Sequence, residues 1–196
     1  VAAAAFGAYM NSGQICMSTE RIVVNEKIAD EFVARFNAKV STLVAGDPAL
    51  GRTPLGSMID RSAADRVQEL VDDAVAKGAR LHQAALAKGT LLSAAVLDRV
   101  TPAMRIYAEE SFGPITAIVR AENEAAAVRI ANDTEYGLSS AVFSRDVARA
   151  LRVAEQLETG MCHINGATVQ DEAQMPFGGT KASGYGRFGG RAGIAE

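Results

Sequence analysis

Short runs of β-branched and apolar residues alternate along this chain with longer amphipathic segments, and glycine or proline separates most of them. In the segment 27–43 the apolar residues recur at steps of three and four, the spacing that places them on one face of a helix. The same spacing predicts helices over 61–77 and 147–157, with Asp146 as N-cap of the latter, and a weaker helix over 122–131.

The runs between these helices have the composition of strands. They are Arg21–Asn25, 91–97, 115–120, 140–143 and Met161–Ile164. Alternation of strands and helices predicts an α/β fold with a parallel-rich sheet flanked by helices. Gly78 and Gly160 are placed to end the second and third of the strong helices. The segment 165–190 holds seven glycines and has no period, which predicts a long ordered loop of the kind that often carries function.

Composition narrows the class of protein. The 196 residues are 48% hydrophobic and 22% charged, which is typical of one globular domain spanning 1–196. The net charge of -3 and the lack of a block of basic residues argue against nucleic acid as a partner. The apolar stretch 1–10 lacks a basic flank and is too short for a membrane span, so neither a signal peptide nor a membrane partner is expected.

The two cysteines form no disulfide framework and no metal-ligand cluster, and they favour a reducing cytoplasm. Cys16 follows an Ala-rich helical stretch and precedes the strand Arg21–Asn25, within a glycine-containing turn. A thiol at such a helix-to-strand exit can face a cleft, with backbone N–H groups near an oxyanion, as nucleophilic catalysis requires. The alternative is a buried and inert thiol, and local sequence leaves both open; Cys162 is expected to be a packed thiol.

Four segments, in this order, resemble motifs of the aldehyde dehydrogenase superfamily. They are Asn-Ser-Gly-Gln-Ile-Cys at 11–16, Glu-Glu-Ser-Phe-Gly-Pro at 109–114, Asn-Asp-Thr-Glu-Tyr-Gly-Leu at 132–138 and the glycine-rich Pro-Phe-Gly-Gly-Thr-Lys-Ala-Ser-Gly-Tyr-Gly-Arg at 176–187. Four ordered motifs spanning nearly the whole chain are far more specific than any single one.

The resemblance implies that the Cys16 thiolate adds to an aldehyde, that the adduct gives hydride to NAD or NADP, and that water hydrolyses the resulting thioester. It implies that Glu110 accepts hydrogen bonds from the ribose near the nicotinamide and that Phe112 packs beside it. It also implies a substrate pocket that includes Phe177, with Ile15 and Met17 beside the thiol. Residues 100–107 and 163–177 look like the branch that acts on salicylaldehyde, vanillin and benzaldehyde.

The same resemblance implies that important parts lie outside these 196 residues. They are most of the Rossmann-like cofactor domain, an oxyanion-binding Asn, a Glu that activates water, and a final strand that pairs with another subunit. We therefore expect a homo-oligomer for the full-length enzyme and no turnover by this segment alone.

Two other classes of protein stay open. One is a non-catalytic binding or assembly domain with this fold, and the other is a cysteine hydrolase that uses Cys16. A hydrolase would need a histidine in reach of the thiol, and the chain offers His82, expected near a helix end, and His163, in a strand-like run. The Gly178-Gly179 and Gly184-x-Gly186 pairs lack the strand-turn-helix context of a dinucleotide fingerprint.

Overall fold

The computed structural model describes residues 1–83 and 87–196. Its helices and strands, in chain order, are α1 (Ala2–Tyr9), β1 (Arg21–Asn25), α2 (Glu26–Val40), α3 (Arg61–Ala76), β2 (Arg80–His82), β3 (Ala87–Lys88), β4 (Leu91–Leu92), β5 (Ala95–Asp98), α4 (Arg105–Ala108), β6 (Ile115–Ala121), α5 (Glu124–Asn132), β7 (Ser139–Val142), α6 (Val147–Ala154), β8 (Met161–Ile164) and α7 (Ala192–Ala195). Short 3-10 turns lie at Met10–Gly13, Pro48–Leu50 and Lys181–Ser183.

The main sheet has four strands in the order β1-β6-β5-β2. Strands β1 and β5 both run parallel to β6, and β2 pairs with β5 in the antiparallel direction at one edge. A second sheet consists of the parallel pair β7 and β8, and β3 and β4 form a small antiparallel pair. The predicted α/β fold with a mostly parallel sheet and flanking helices is confirmed.

Helices cover both faces of the main sheet. Successive residues of a strand point to opposite faces, so neighbouring residues pack against different helices. Leu97 packs in the cluster that contains the buried face of α3, while its neighbour Val96 packs in the cluster that contains α1 and α2. The buried stripe of α3 is Ala64, Val67, Leu70, Val71 and Ala74, and that of α2 is Ala29, Val33, Phe36 and Val40. The three- and four-residue spacing therefore marks the core face of α2 and α3, except at Ile28, which is 56% exposed. In α6 the prediction fails, because Val147 and Leu151 are exposed and Ala150 is the buried residue of the helix.

The helix ends match part of the prediction. Asp146 caps α6 by accepting a hydrogen bond from the Arg149 N–H at 3.0 Å, and Gly78 follows α3 with a φ of +100°. Gly160 does not end α6, which stops at Ala154. Gly160 lies instead directly before β8, where a Cβ atom would meet the Gly178 carbonyl oxygen at 1.8 Å.

Several boundaries differ from the prediction. The run 91–97 is not one strand, because β4 pairs with β3 and β5 belongs to the main sheet, with the chain changing sheets at 93–94. His82 lies in β2, a strand that was not predicted, and not at a helix end. The weak helix predicted at 122–131 is α5, and the short helix α4 was also not predicted. No helix in the described ranges is both long and apolar enough to cross a membrane.

Candidate active site

Cys16 lies in the connection between α1 and β1. Helix α1 is anchored at its end by Tyr9, whose buried hydroxyl donates a hydrogen bond to the Ala95 carbonyl of β5 at 2.8 Å. The chain then turns through three consecutive left-handed residues, Asn11, Ser12 and Gly13, with φ values of 51°, 57° and 73°. Such backbone is costly for residues other than glycine, so the surrounding contacts must hold this turn in place.

Those contacts come from two other segments. A Cβ atom on Gly13 would lie 2.0 Å from the Gly113 carbonyl oxygen, so glycine is required for this close approach. On the other side, the Ser12 hydroxyl donates to the Gly56 carbonyl at 3.1 Å. The Gln14 side-chain amide donates to the Ser57 carbonyl at 3.2 Å, and its oxygen accepts from the backbone N–H of residue 59 at 2.8 Å. The turn before Cys16 is therefore fixed between 56–59 and 113.

The thiol itself is exposed. It lies in a tight turn that is closed by hydrogen bonds from the Ser18 N–H to the Ile15 carbonyl at 2.8 Å and from the Ser18 hydroxyl to the Gly13 carbonyl at 3.0 Å. Ile15 and Met17 are half-buried on either side. Among the described residues the Cys16 N–H has no acceptor. An accessible thiol beside a backbone donor of this kind can attack a carbonyl carbon and hydrogen-bond the oxyanion that forms.

The segment that contains Glu110 and Phe112 comes close to this turn through Gly113. Its two adjacent glutamates are not equivalent. Glu109 forms a two-pronged ion pair with Arg105 at 2.7 and 2.9 Å, whereas the exposed Glu110 side chain has no hydrogen-bond or ion-pair partner in the described part of the chain. Phe112 is 36% exposed as a residue, and its backbone is left-handed with a φ of 48°. A free carboxylate and an exposed ring thus lie two residues apart.

Two side chains hold this segment from opposite directions. The Arg66 guanidinium donates to the carbonyls of Glu110 at 2.7 Å and Ser111 at 2.6 Å. The Glu20 carboxylate accepts from the Ser111 hydroxyl at 2.6 Å, from the Ser111 N–H at 3.1 Å and from the Phe112 N–H at 3.0 Å. Burial raises the pKa of the Glu20 carboxyl above its ordinary value, although these hydrogen bonds oppose the rise.

Glu20 is a site residue that the sequence did not reveal. Its partners lie 91 and 92 residues away along the chain, and two of the three bonds are to backbone amides, which leave no signature in residue types. The signal that could have drawn attention to it is an ionisable residue placed directly before a half-buried strand.

Arg21, the next residue, anchors the same exit on the other side. Its guanidinium donates to the carbonyls of Ile130 at 2.7 Å and Asp133 at 3.0 Å, donates to the Tyr107 carbonyl, and lies 4.1 Å from the centroid of the Tyr107 ring. The start of β1 is thereby tied to the segment around α4 and to the end of α5. The thiol turn thus has a fixed exit as well as a fixed entry.

Phe177 lies in the long glycine-rich loop. The backbones of Phe177 and Phe188 exchange two hydrogen bonds, and their rings lie 4.8 Å apart between centroids. The loop reaches the thiol segment through Thr168, whose hydroxyl is 2.8 Å from that of Thr19. The segment that carries Ile15, Cys16 and Met17 is joined to the Glu110–Phe112 segment at both of its ends, by the approach of Gly13 to Gly113 and by the hydrogen bonds of Glu20. Among the described hydrogen bonds, none joins Phe177 itself to the thiol turn.

The second cysteine and the two histidines lie elsewhere. Cys162 is half-buried in β8, and burial raises the pKa of its thiol despite an opposing hydrogen bond with Ser140. The Nε2 atoms of His82 and His163 are buried without a partner, and in the described residues no hydrogen bond joins either ring to Cys16. The described ranges contain no cluster of three or more metal-ligating side chains.

The fold is a parallel-rich sheet, and an exposed cysteine lies where the chain passes from helix α1 to strand β1. The sequence profile described as "Aldehyde dehydrogenase family" matches residues 1–196. The chain therefore belongs to the aldehyde dehydrogenase family, as the four motifs predicted.

Individual relatives agree with this assignment. A vanillin dehydrogenase of Pseudomonas fluorescens is 59% identical over 194 residues, covering 99% of this chain and 40% of the relative. The crystal structure of a salicylaldehyde dehydrogenase from Pseudomonas putida G7, complexed with salicylaldehyde, superposes with a TM-score of 0.96 at 55% identity, covering 99% of this chain and 40% of that one. An NADP-dependent glyceraldehyde-3-phosphate dehydrogenase from Bacillus halodurans, complexed with NADP, gives 0.95 at 36% identity, covering 98% of this chain and 40% of that one. The chain spans about two fifths of the length of these relatives.

Proposed function

We propose that Cys16 is the nucleophile of an NAD(P)-dependent aldehyde dehydrogenase that converts an aromatic aldehyde to its carboxylic acid. The observation that supports this most directly is an exposed thiol, held on a fixed turn, with the Glu110–Phe112 segment joined to that turn through Gly113 and Glu20. These residues supply the attacking atom and part of the wall beside the nicotinamide.

The chain's own residues supply the nucleophile and one hydrogen-bond donor for the first covalent step. The Cys16 sulfur, as thiolate, bonds to the aldehyde carbon, and the carbonyl electron pair moves to oxygen, where the Cys16 N–H is free to donate. A bound NAD(P), held at its nicotinamide end by Glu110 and Phe112, would supply the hydride acceptor that oxidises this adduct to a thioester. The resulting thioester is hydrolysed by water, which releases the acid and returns the thiol.

Glu110 and Phe112 fit a dinucleotide on structural grounds. The neighbouring Glu109 is paired with Arg105, so Glu110 is the carboxylate left free to accept hydrogen bonds from the hydroxyls of a ribose. The exposed Phe112 ring offers an apolar surface to a flat ring beside it. The choice between NAD and NADP depends on residues that contact the far ribose, and Glu110 has no bearing on it.

The aromatic substrate is proposed from the relatives and from the residues beside the thiol. The two reported relatives above 50% identity are named for vanillin and salicylaldehyde, and both of these compounds are aromatic aldehydes. Ile15 and Met17 flank Cys16 and could contact an apolar ring, and we place Phe177 in the same pocket of the complete enzyme. We also propose that the complete enzyme is a homo-oligomer of the cytoplasm, where both thiols stay reduced.

The 196 residues by themselves are proposed to be inactive as a dehydrogenase. In the described ranges they offer one free carboxylate and one ring for the cofactor and no glycine-rich strand-turn-helix that would bind its pyrophosphate. Steady production of NADH or NADPH by the purified segment would contradict this proposal.

The nucleophile is tested by brief treatment with iodoacetamide at pH 7.5, followed by mass mapping. The exposed Cys16 is expected to be alkylated about tenfold faster than Cys162, because Cys162 is half-buried and has a raised pKa. In the protein as its gene encodes it, Cys16→Ser is expected to abolish NAD(P)H formation from vanillin and salicylaldehyde, while the matched change Cys162→Ser retains it. Equal labelling of the two thiols, or turnover by Cys16→Ser, would contradict the assignment.

A further inference from the structure

Glu20 occupies an unusual place for a carboxylate. It lies four residues after Cys16, at the end of the thiol segment, and its two oxygens are shared among three donors of the opposite segment. One oxygen accepts from the Ser111 N–H and hydroxyl, and the other accepts from the Phe112 N–H. The carboxylate therefore bridges the segment that carries the nucleophile and the segment proposed to contact the cofactor.

This position is costly for a charged group. Burial disfavours the ionised form of Glu20, and the nearby charge of Glu110 adds to the effect. A neutral side chain would avoid this cost but would leave at least one of the three donors without an acceptor. What a carboxylate provides, and an amide or alcohol does not, is acceptor capacity on both oxygens at once.

The backbone that Glu20 holds is itself strained. Phe112 has a left-handed φ of 48°, a conformation that a bulky residue keeps only when its surroundings enforce it. Glu20 accepts a hydrogen bond from the N–H of this residue, while Arg66 donates hydrogen bonds to the carbonyls of Glu110 and Ser111. The direction of the Glu110 and Phe112 side chains depends on this backbone, since each leaves the chain at a fixed angle to it.

We propose that Glu20 is a positioning residue that fixes the Glu110–Phe112 segment relative to the Cys16 turn and thereby aligns the cofactor with the substrate adduct. The inference rests on the function proposed above. Glu20 touches neither the substrate nor the cofactor in this scheme and acts through Ser111 and Phe112.

The change Glu20→Gln tests this with minimal alteration of shape. A glutamine has one acceptor oxygen, so its NH₂ group must face either the Phe112 N–H or the Ser111 N–H, and one backbone donor loses its partner. The same change removes the charge of a half-buried carboxylate, whose ionised form is disfavoured there, and this offsets the loss in stability. We therefore expect the thermal midpoint to stay within about 3 °C of the wild type.

The measurement is steady-state kinetics in the protein as its gene encodes it, with NAD and NADP each varied against vanillin and salicylaldehyde. Glu20→Gln is expected to raise the KM for the cofactor about tenfold, the effect of losing one hydrogen bond to a charged group, with less than about a threefold change in kcat. Alkylation of Cys16 by iodoacetamide without cofactor is expected to proceed at the wild-type rate, because the turn before Cys16 is held by other contacts.

Two further variants separate the causes. Glu20→Asp keeps the charge but is one methylene shorter and cannot span both partners, so it is not expected to restore the KM. Glu31→Gln, a change at an exposed helix position that pairs only with Arg35 among the described ion pairs, is the matched control and should behave as wild type. If Glu20→Gln does not fold, Ser111→Ala replaces it, since it removes one of the three bonds and should raise the cofactor KM about threefold.

The outcomes distinguish this inference from the proposed function. Wild-type protein that forms no NAD(P)H would overturn both. Wild-type turnover that depends on Cys16, together with an unchanged cofactor KM in Glu20→Gln, or in Ser111→Ala where that variant is needed, would overturn only the role of Glu20. A thiol alkylation rate that falls in parallel with cofactor affinity would also overturn it, because a general loosening of the site would then explain both.

Discussion

The main sheet and the C-terminal region, defined here as residues 137–190, are stabilised in different ways. Strand β5 is buried at every position and β6 at six of seven, and helices cover both faces. In the C-terminal region β7 and β8 are half-buried at every position, and Leu151 of α6 is 51% exposed. The first part is held by buried apolar area, and the second part has much less of it.

The C-terminal region instead uses close backbone approaches and polar links. Gly160 and Gly178 come so close that no Cβ atom fits between them, and Thr180 and Gly160 both donate backbone hydrogen bonds to the Gly137 carbonyl at 2.9 Å. The Lys181 ammonium and the Asn132 side chain tie it to the end of α5. The turn before Cys16 is held by 56–59 and 113, outside the C-terminal region, and the thiol segment contacts that region through the hydrogen bond between Thr19 and Thr168.

The largest expected difference between the two parts is in the cost of removing a leucine. Leu97→Ala, at a fully buried position of β5, is expected to lower the free energy of unfolding by about 2–5 kcal/mol because it leaves a cavity. Leu151→Ala on α6 is expected to change it by less than about 1 kcal/mol, since half of the side chain is already in solvent. Denaturant titration of both variants measures this. Equal costs would show that Leu151 is buried against something other than these 196 residues.

The packed part is also the part that the sequence predicted best. In α2 and α3 the three- and four-residue spacing continues over several turns, so each apolar residue independently indicates the same helix and the same buried face. β2 has three residues, two of them exposed, and carries too little pattern to be recognised. The run 91–97 is apolar throughout, and composition cannot show that the chain changes sheets in its middle.

The candidate site could be predicted in part for a different reason. The motifs placed Cys16 and Glu110 in the sequence, and the free state of Glu110 could have been inferred from Arg105, which lies four residues before Glu109 on the same helical face. The hydrogen bonds of Glu20 and Arg66 to residues 110–112 could not have been predicted, because most of them are made to backbone groups that every residue type shares.

A smaller difference is expected when alanine replaces a glycine in each part. Gly13→Ala forces a Cβ into the Gly113 carbonyl at a left-handed position, and should cost about 1–3 kcal/mol of global stability. Gly160→Ala meets the Gly178 carbonyl just as closely, but it lies in the region that has less buried apolar area. We therefore expect faster hydrogen exchange confined to 137–190, with little change in global unfolding.

Gly56→Ala is the control for these two variants, because a Cβ there meets no atom within 4 Å. It is expected to leave stability within about 1 kcal/mol of the wild type. If Gly160→Ala destabilised the whole chain as much as Gly13→Ala, the two parts would unfold as one unit and the distinction between them would not hold.

The smallest expected effect is a decrease in the stability of the C-terminal region at acidic pH. Burial lowers the pKa of His163 in β8 below its ordinary value of 6.5, and its Nε2 atom has no partner among the described residues. The folded state therefore favours the neutral ring, while the unfolded chain takes up a proton at its ordinary pKa. Stability is expected to be full above about pH 6.5 and to decrease as the pH falls from there toward the lower folded pKa.

Hydrogen exchange in β7 and β8, compared between pH 7.5 and pH 5.5, measures this effect where it should be greatest. Opening of the pair is expected to become easier at the lower pH in the wild type, and less so in His163→Gln, which cannot be protonated in this range. The main sheet should show little of this dependence, because global unfolding is set by its buried core. If the same acid sensitivity remained in His163→Gln, other titratable groups would be responsible. Protonation of His163 in the less tightly packed β8 would then not explain the effect.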